Sequence, residues 1–449
     1  MTRSGSSTYP ASRPDALPLR RPRATLRPMR SLLPLLFGSL LACRGPRPDV
    51  VVVVVDTLRW DALSMNGAAH PATPVLDALA QESRTFDRGY ASSSWTLAST
   101  ASLLTGRHAV NHGVIDPVKR LPEAADTLAE VLADRGYATT SVVSNPLVAS
   151  APSMLAGFTD RHAIVDDEGT TADALTAAAL EALDPARPDF VYLHYMDPHY
   201  PYLNHPHLDW APPEGVGRLK GGESIAMLRE MTLTPEELAF VKACYAEEVH
   251  VADRAIGRLL AGLDDDTLLM VTSDHGEEFL ERGWLGHVRT VHEELVHVPL
   301  MVRGPGMTPG RVDAPTLNSG FFATVTEVLD IRTPRAVQVP DLLGPPEPGV
   351  LVEVDFEPQS IKYSAKAAHK QAWLTGHTKL LRDLDAGTVT RFDLAADPHE
   401  RAGVPVTDPA ALQPLVDAHA AAADGALDHE QKSADQRARE MLEALGYLD

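Results

Sequence analysis

The sequence predicts an α/β protein, with a mostly parallel central sheet covered by helices and a smaller α+β subdomain at the C-terminal end. Three observations carry this expectation. Short apolar runs at Val50–Val55, 139–143, 190–193, 267–272 and 299–302 have the near-continuous hydrophobic character of strands buried on both faces. Helical patterns lie between them, and such alternation argues for a parallel sheet with helices packed on its faces. A proline-crowded stretch at 333–349, containing Pro334, Pro340, Pro345, Pro346 and Pro348, then precedes a new strand-like run at 350–354 and marks a boundary.

At 449 residues the chain can bury a large core, and one main domain at 48–332 with a smaller one at 350–449 fits that length. Its formal net charge of −21 argues against a nucleic-acid partner, because neutralising phosphates needs clustered Lys and Arg. Acidity otherwise speaks to solubility. Oligomeric state is not legible.

From the N-terminus, residues 1–28 are rich in Arg, Pro and Ser and lack periodicity, and they are read as a disordered or mis-assigned extension ahead of a start at Met29. Residues 29–43 run from a basic start at Arg30 through an apolar core to small residues, the pattern of an export signal. The apolar part is too short to span a bilayer. Its end, Leu40-Leu41-Ala42-Cys43, resembles a bacterial lipobox, although Leu41 is bulkier than the usual residue there. The expectation is a mature protein in the bacterial cell envelope, lipid-anchored through Cys43 or periplasmic after cleavage. Cys244 is the only other cysteine, so no internal disulfide follows; it sits in a helical pattern and reads as core.

The Val50–Val55 run ends on Asp56, and more than two hundred residues later a second run ends on Ser273-Asp274-His275-Gly276-Glu277. Either alone reads as the start of a turn or a helix cap. Together they read as a metal site at strand ends, since ligands in open α/β sheets gather at the carboxyl edge. Between them, residues 127–135 form a helix stopped by Gly136. Thr234-Pro235-Glu236-Glu237 opens a longer one, with an N-cap Thr, Pro in the first turn and Glu three residues on. Leu238, Val241, Tyr245, Val249, Ala252, Ile256 and Leu259 give that helix one apolar stripe. The tail at 420–439, rich in Ala, Asp and Gln, reads as an exposed helix or disordered.

A set of motifs then resembles the sulfatase family of the alkaline phosphatase superfamily over most of residues 48–449. They are Asp56, the segment from Trp95 through Thr96 to Gly106-Arg107, His194-Tyr195-Met196-Asp197-Pro198-His199-Tyr200-Pro201-Tyr202, Asp274-His275-Gly276-Glu277, Gly283-Trp284-Leu285-Gly286-His287, the helix carrying Asp253, and Phe392-Asp393-Leu394 to Asp397-Pro398-His399-Glu400. The resemblance implies an alkaline-phosphatase-like α/β/α sandwich, and a nucleophile at a helix N-terminus, where backbone N–H groups and the helix dipole favour anionic oxygens. By register with Leu103-Leu104-Thr105-Gly106-Arg107 that nucleophile is Thr96, with Ala98 and Thr100 where sulfatases carry Pro and Arg. Thr cannot be matured to formylglycine; it is the nucleophile type of related phosphoethanolamine and glycerophosphate transferases.

A Thr hydroxyl needs a metal to stabilise its alkoxide. The resemblance supplies the shell as Asp56, Thr96, Asp274 and His275 around one divalent ion. Oxygen and imidazole ligands suit Zn or Mn, and Ca²⁺ occurs with a similar Asp-His pair in sulfatases. Members that bind Ca²⁺ usually carry a second Asp where this chain has Thr57, which favours a transition metal. His199 and His287 match histidines that contact the transferred group or leaving oxygen. His194, Glu277 and His292 are expected to support these residues or to pack. Ser144-Asn145 stand near where sulfatases place a Lys. Lys362, His369, Lys370 and Lys379 are cations of the C-terminal part, read as surface groups or as contacts for an anionic substrate.

The expected activity is hydrolysis or transfer of a sulfate or phosphate ester through Thr96. A phosphoethanolamine- or glycerophosphate-type transferase is one alternative, and an inactive envelope-binding member of the family is another. The partners are a sulfated or phosphorylated ester and, through Cys43, a membrane. Asp56, Asp274 and His275 together argue for chemistry, because a binding module has no need of a metal shell.

Overall fold

The computed structural model describes residues 47–115, 119–165, 171–208, 210–212, 214–356 and 367–427. The expected export signal, the lipidation site Cys43 and Lys362 lie outside the described residues, as does the tail beyond 427. No described helix is long and apolar enough to cross a membrane.

The main sheet has eight strands: β1 (Val50–Val55), β2 (Arg84–Tyr90), β3 (Ala138–Val143), β4 (Asp160–Ala163), β5 (Asp189–Tyr195), β6 (Leu268–Thr272), β7 (Leu300–Arg303) and β8 (Gly310–Leu317). Their spatial order is β8-β2-β7-β6-β1-β5-β3-β4. Every pairing is parallel except the two that β7 makes, with β2 and β6. The five apolar runs expected as strands are β1, β3, β5, β6 and β7. Three strands escape that reading: β2 and β8 interleave charged residues with apolar ones, and β4 is Asp-Arg-His-Ala.

β1 lies at the centre and is buried along its length. Alternate side chains of a strand point to opposite faces, and here Val50, Val52 and Val54 join one hydrophobic core while Val51, Val53 and Val55 join the other. This division is what makes a three-layer sandwich. The second core is closed by the Pro235–Leu260 helix, whose capping box pairs the Thr234 side chain with the Glu237 backbone and the Glu237 side chain with the Thr234 backbone. Cys244 is buried in that helix. Asp253, on the same helix, accepts from the Val75 and Leu76 N–H groups and so caps the Pro74–Glu82 helix from outside.

The proline-crowded stretch carries no strand, and a second, antiparallel sheet follows it, with strands Val350–Phe356, Ala368–Thr375, Thr378–Asp383, Thr388–Asp393 and Val404–Pro405 and the helix Pro409–Ala423 against it. Lys379 is not the surface cation the sequence suggested: it is fully buried, with Nζ 2.8 Å from Glu293 Oε1 and 3.1 Å from Glu400 Oε1. Burial alone would lower its ammonium, but the two carboxylates hold it above the usual lysine range. It ties the second sheet to the main domain. His369 and Lys370 also have partners, pairing with Asp385.

Candidate active site

Register brings the predicted ligands together. β1 and β6 pair in parallel with Val54 opposite Thr272, so Asp56 and Asp274, each two residues further on, leave the sheet side by side. The turn after β1 is held open by Thr57 at φ 56°, a left-handed conformation uncommon for a residue with a branched Cβ. Tyr245 fixes that turn from the long helix: its hydroxyl donates to Thr57 O at 2.9 Å and accepts from Arg59 N at 3.0 Å. The strain therefore has identifiable support.

Asp56, Asp274 and His275 are fully buried, and one ligand atom from each lies within 4.8 Å of the others. His275 presents Nε2 to this cluster because its Nδ1 is engaged by Gly276 O at 2.9 Å. That Nε2 lies 3.6 Å from Asp274 Oδ2 and 3.9 Å from Asp56 Oδ1. Burial would raise the Asp56 carboxyl, yet the hydrogen bond from His194 and the nearby imidazoles of His199 and His275 hold it well below the usual range. Asp274 goes the other way, raised by burial and by the adjacent Asp56 charge.

Asp56 Oδ1 and Asp274 Oδ2 are buried and find no hydrogen-bond partner among the described residues. Leaving buried carboxylate oxygens unpaired is costly unless a cation or metal meets them. The donor set, two carboxylates and one imidazole, suits a divalent ion.

Thr96 opens the wholly buried helix Thr96–Thr105, and its Oγ1 lies 3.1 Å from His275 Nε2. With the His275 Nδ1–H facing Gly276 O, a neutral ring leaves Nε2 as an acceptor, for the Thr96 hydroxyl or for a metal. The predicted nucleophile and the predicted ligands thus meet at one point, where the first helical turn also offers unsatisfied N–H groups. His287 and His199 complete the pocket. The His287 ring centroid is 4.4 Å from that of His275 and 5.2 Å from that of His199. Glu277 Oε1 lies 3.0 Å from His287 Nδ1, and Tyr202 donates to the other Glu277 oxygen at 2.9 Å, so the His287 ring is oriented. Burial pushes His287 well below the ordinary imidazole range, His199 down to about 4 and Glu277 up to about 7.

Asp56 has two further side-chain contacts, one from an expected supporting residue and one that was not legible. His194, expected only in a supporting role, has Nε2 3.2 Å from Asp56 Oδ2, and its ring is fixed by Tyr192 OH 2.9 Å from Nδ1. Asn145 donates to the same Asp56 oxygen at 2.6 Å. The signal for both is positional: Ser144-Asn145 follow β3, and His194 is next to last in β5, which pairs with β1. His292 packs away from this cluster, with its ring against Phe392.

The sulfatase family model matches residues 48–331. The N-acetylglucosamine-6-O-sulfatase of Bacteroides thetaiotaomicron is 24% identical, over 69% of this chain and 74% of that protein. The choline-sulfatase of Rhizobium meliloti is 25% identical, over 79% of this chain and 81% of that one. Among solved structures, the phosphonate monoester hydrolase of Agrobacterium radiobacter superposes with a TM-score of 0.69 at 22% identity, covering 84% of this chain and 96% of that one. A protein solved with D-glucosamine-2-N,6-O-disulfate as its substrate superposes at 0.66 and 19% identity, covering 84% and 98%.

Proposed function

This chain belongs to the sulfatase family, and we propose that it is a metal-dependent hydrolase of sulfate or phosphate esters in which Thr96 is the nucleophile. The observation that carries the reading is the meeting of Thr96 Oγ1 with a buried cluster in which one oxygen of each carboxylate has no hydrogen-bond partner among the described residues. Sulfate esters are the first substrates to test, because curated relatives with broad coverage act on a sulfated amino sugar and on choline sulfate by name. Thr in place of the usual formylglycine precursor, together with the uncharged Thr100 and Asn145, supports phosphate esters as the second class.

A divalent ion held by Asp56, Asp274 and His275 would supply positive charge for the anionic oxygens of nucleophile and substrate. The chain's own residues do the rest. The Thr96 hydroxyl gives its proton to His287 or His199, both neutral near pH 7, as its oxygen attacks sulfur or phosphorus; the same imidazole returns that proton to the ester oxygen, which leaves as the alcohol; water then cleaves the Thr96 ester, giving the free acid and restoring the Thr96 hydroxyl. Glu277 holds His287 in place for this transfer. Asn145 and His194 fix Asp56, and the helix N-terminus faces the transferred group.

The export signal at 29–43 and lipid-bearing Cys43 would place this activity in the bacterial cell envelope. Purified protein assayed in parallel on an aryl sulfate, a phosphate monoester and a phosphodiester, with metal analysis, tests the reading. Turnover of one ester class with about one bound divalent ion is expected. No turnover of any ester with metal bound would point instead to a binding role.

A further inference from the structure

Two arginines beside the candidate active site share one indole. Arg229, on the Ile225–Glu230 helix, and Arg289, two residues after His287, each hold the guanidinium carbon 4.4 Å from the Trp284 ring centroid. Neither makes an ion pair among the described residues; Arg229 donates from Nε to Leu285 O at 2.8 Å, and its charge also acts on the Glu277 carboxyl. Arg59, Arg88, Arg282 and Arg311, in contrast, all reach a carboxylate. Arg84 and Arg107 also make no ion pair among the described residues, bonding instead to Gly344 O and Asn111; what sets Arg229 and Arg289 apart is that both guanidinium groups lie on one indole beside the site.

Their placement ties them to the site. A Cβ on Gly286 would collide with Arg229 Nη2, so glycine at this position, at φ 115°, is what lets the guanidinium lie against the residue before His287. Val288 follows His287 at φ 86°, a strained conformation for a β-branched residue, and its N–H donates to Ser94 O at 3.1 Å. That bond fastens the loop two residues ahead of Thr96. Trp284, Arg289 and His287 therefore belong to one short loop anchored beside the nucleophile, and Arg229 packs on it from a separate helix.

A guanidinium on an aromatic face is held by cation–π attraction while its N–H edge stays available. Such an edge suits a planar or tetrahedral anion, which it can bind through paired hydrogen bonds. We propose that Arg229 and Arg289, mounted on Trp284, form a subsite for a second anionic group on the substrate, a carboxylate or sulfate separate from the ester that is cleaved. This rests on the ester-hydrolase reading for the site it extends, and it narrows the substrate class to esters that carry at least two negative groups.

Binding of non-hydrolysable sulfonates separates this claim from turnover. The metal-loaded wild-type protein is titrated calorimetrically with benzenesulfonate and with 3- and 4-sulfobenzoate, which add a carboxylate at two spacings, and the titrations are repeated with Arg229→Gln, Arg289→Gln and the double variant. The expected result is that at least one sulfobenzoate binds the wild type about tenfold more tightly than benzenesulfonate, a difference of about 1.4 kcal/mol. In the double variant the ratio should fall to within about twofold of one. Equal affinities in the wild type, no detectable binding of any probe, or a preference that survives in the double variant would overturn the subsite. A preserved preference in a protein that turns over no ester would leave the subsite standing and remove only the hydrolase reading.

Discussion

Asp56 Oδ1 and Asp274 Oδ2 are buried without a hydrogen-bond partner among the described residues, and on these two oxygens the chemistry turns. Asp274→Ala or His275→Ala should remove bound metal and turnover together, because loss of one ligand from so small a shell forfeits the ion. Elemental analysis checks this: full metal stoichiometry in both variants would refute the ligand assignment. His287→Ala should keep the metal and lose turnover by about a hundredfold on an ester with a poor leaving group, the usual cost of losing a general acid. Unchanged turnover there would reduce His287 to packing. The cluster of Asp56, Asp274 and His275 was legible because each lies at the end of an apolar run, and the place of Thr96 beside it because of its register before Gly106-Arg107. The partner that His194 supports and the contact of Asn145 were not: each contact to Asp56 depends on which strands lie near β1, and local sequence does not record that neighbourhood. Lys379 shows the converse, since an isolated Lys in a strand looks like surface until Glu293 and Glu400, distant from it in the chain, are seen to enclose it.

At the scale of elements, the long helix is written most clearly in the sequence, and its start agrees with the structure to the residue: Thr234 caps and Pro235 begins it. Thr234→Ala should lower unfolding stability by about 1 kcal/mol, as N-cap losses typically do. A denaturant midpoint equal to wild type with unchanged slope would contradict that. The second sheet gives a pH test. His419, on the Pro409–Ala423 helix, is raised by its hydrogen bond to Glu353 on the Val350–Phe356 strand, despite some opposing burial. A histidine raised in the folded state contributes stability that is fully present below about pH 6.5, its unfolded value, and is lost as pH rises through the folded value. The difference in melting temperature between wild type and His419→Gln should therefore be larger at pH 6 than at pH 8.5. A difference independent of pH would remove the charge from the account. Strands β2, β4 and β8 were hidden because they lie to the sides of the sheet, where mixed polar and apolar residues suffice, whereas the central runs must be apolar on both faces.

For the whole molecule, the parallel centre of the sheet was foreseen and the antiparallel insertion of β7 was not, since an apolar run carries no direction. The three-layer arrangement follows from the alternate valines of β1 feeding two cores. Location is a matter for the intact chain: processing in a bacterial host should give a mature protein that starts at lipid-bearing Cys43, and mass spectrometry of its N-terminus decides this. An unprocessed cytoplasmic chain retaining residues 1–28 would overturn the export claim. The central claim, that the buried carboxylate–imidazole cluster serves a Thr nucleophile, is met most directly by the turnover number of purified Thr96→Ala at saturating divalent metal, on whichever ester the wild type cleaves best. Loss of a covalent nucleophile from a working site costs at least about a thousandfold, and a folded variant with that loss is the result predicted. Turnover within tenfold of wild type would contradict it.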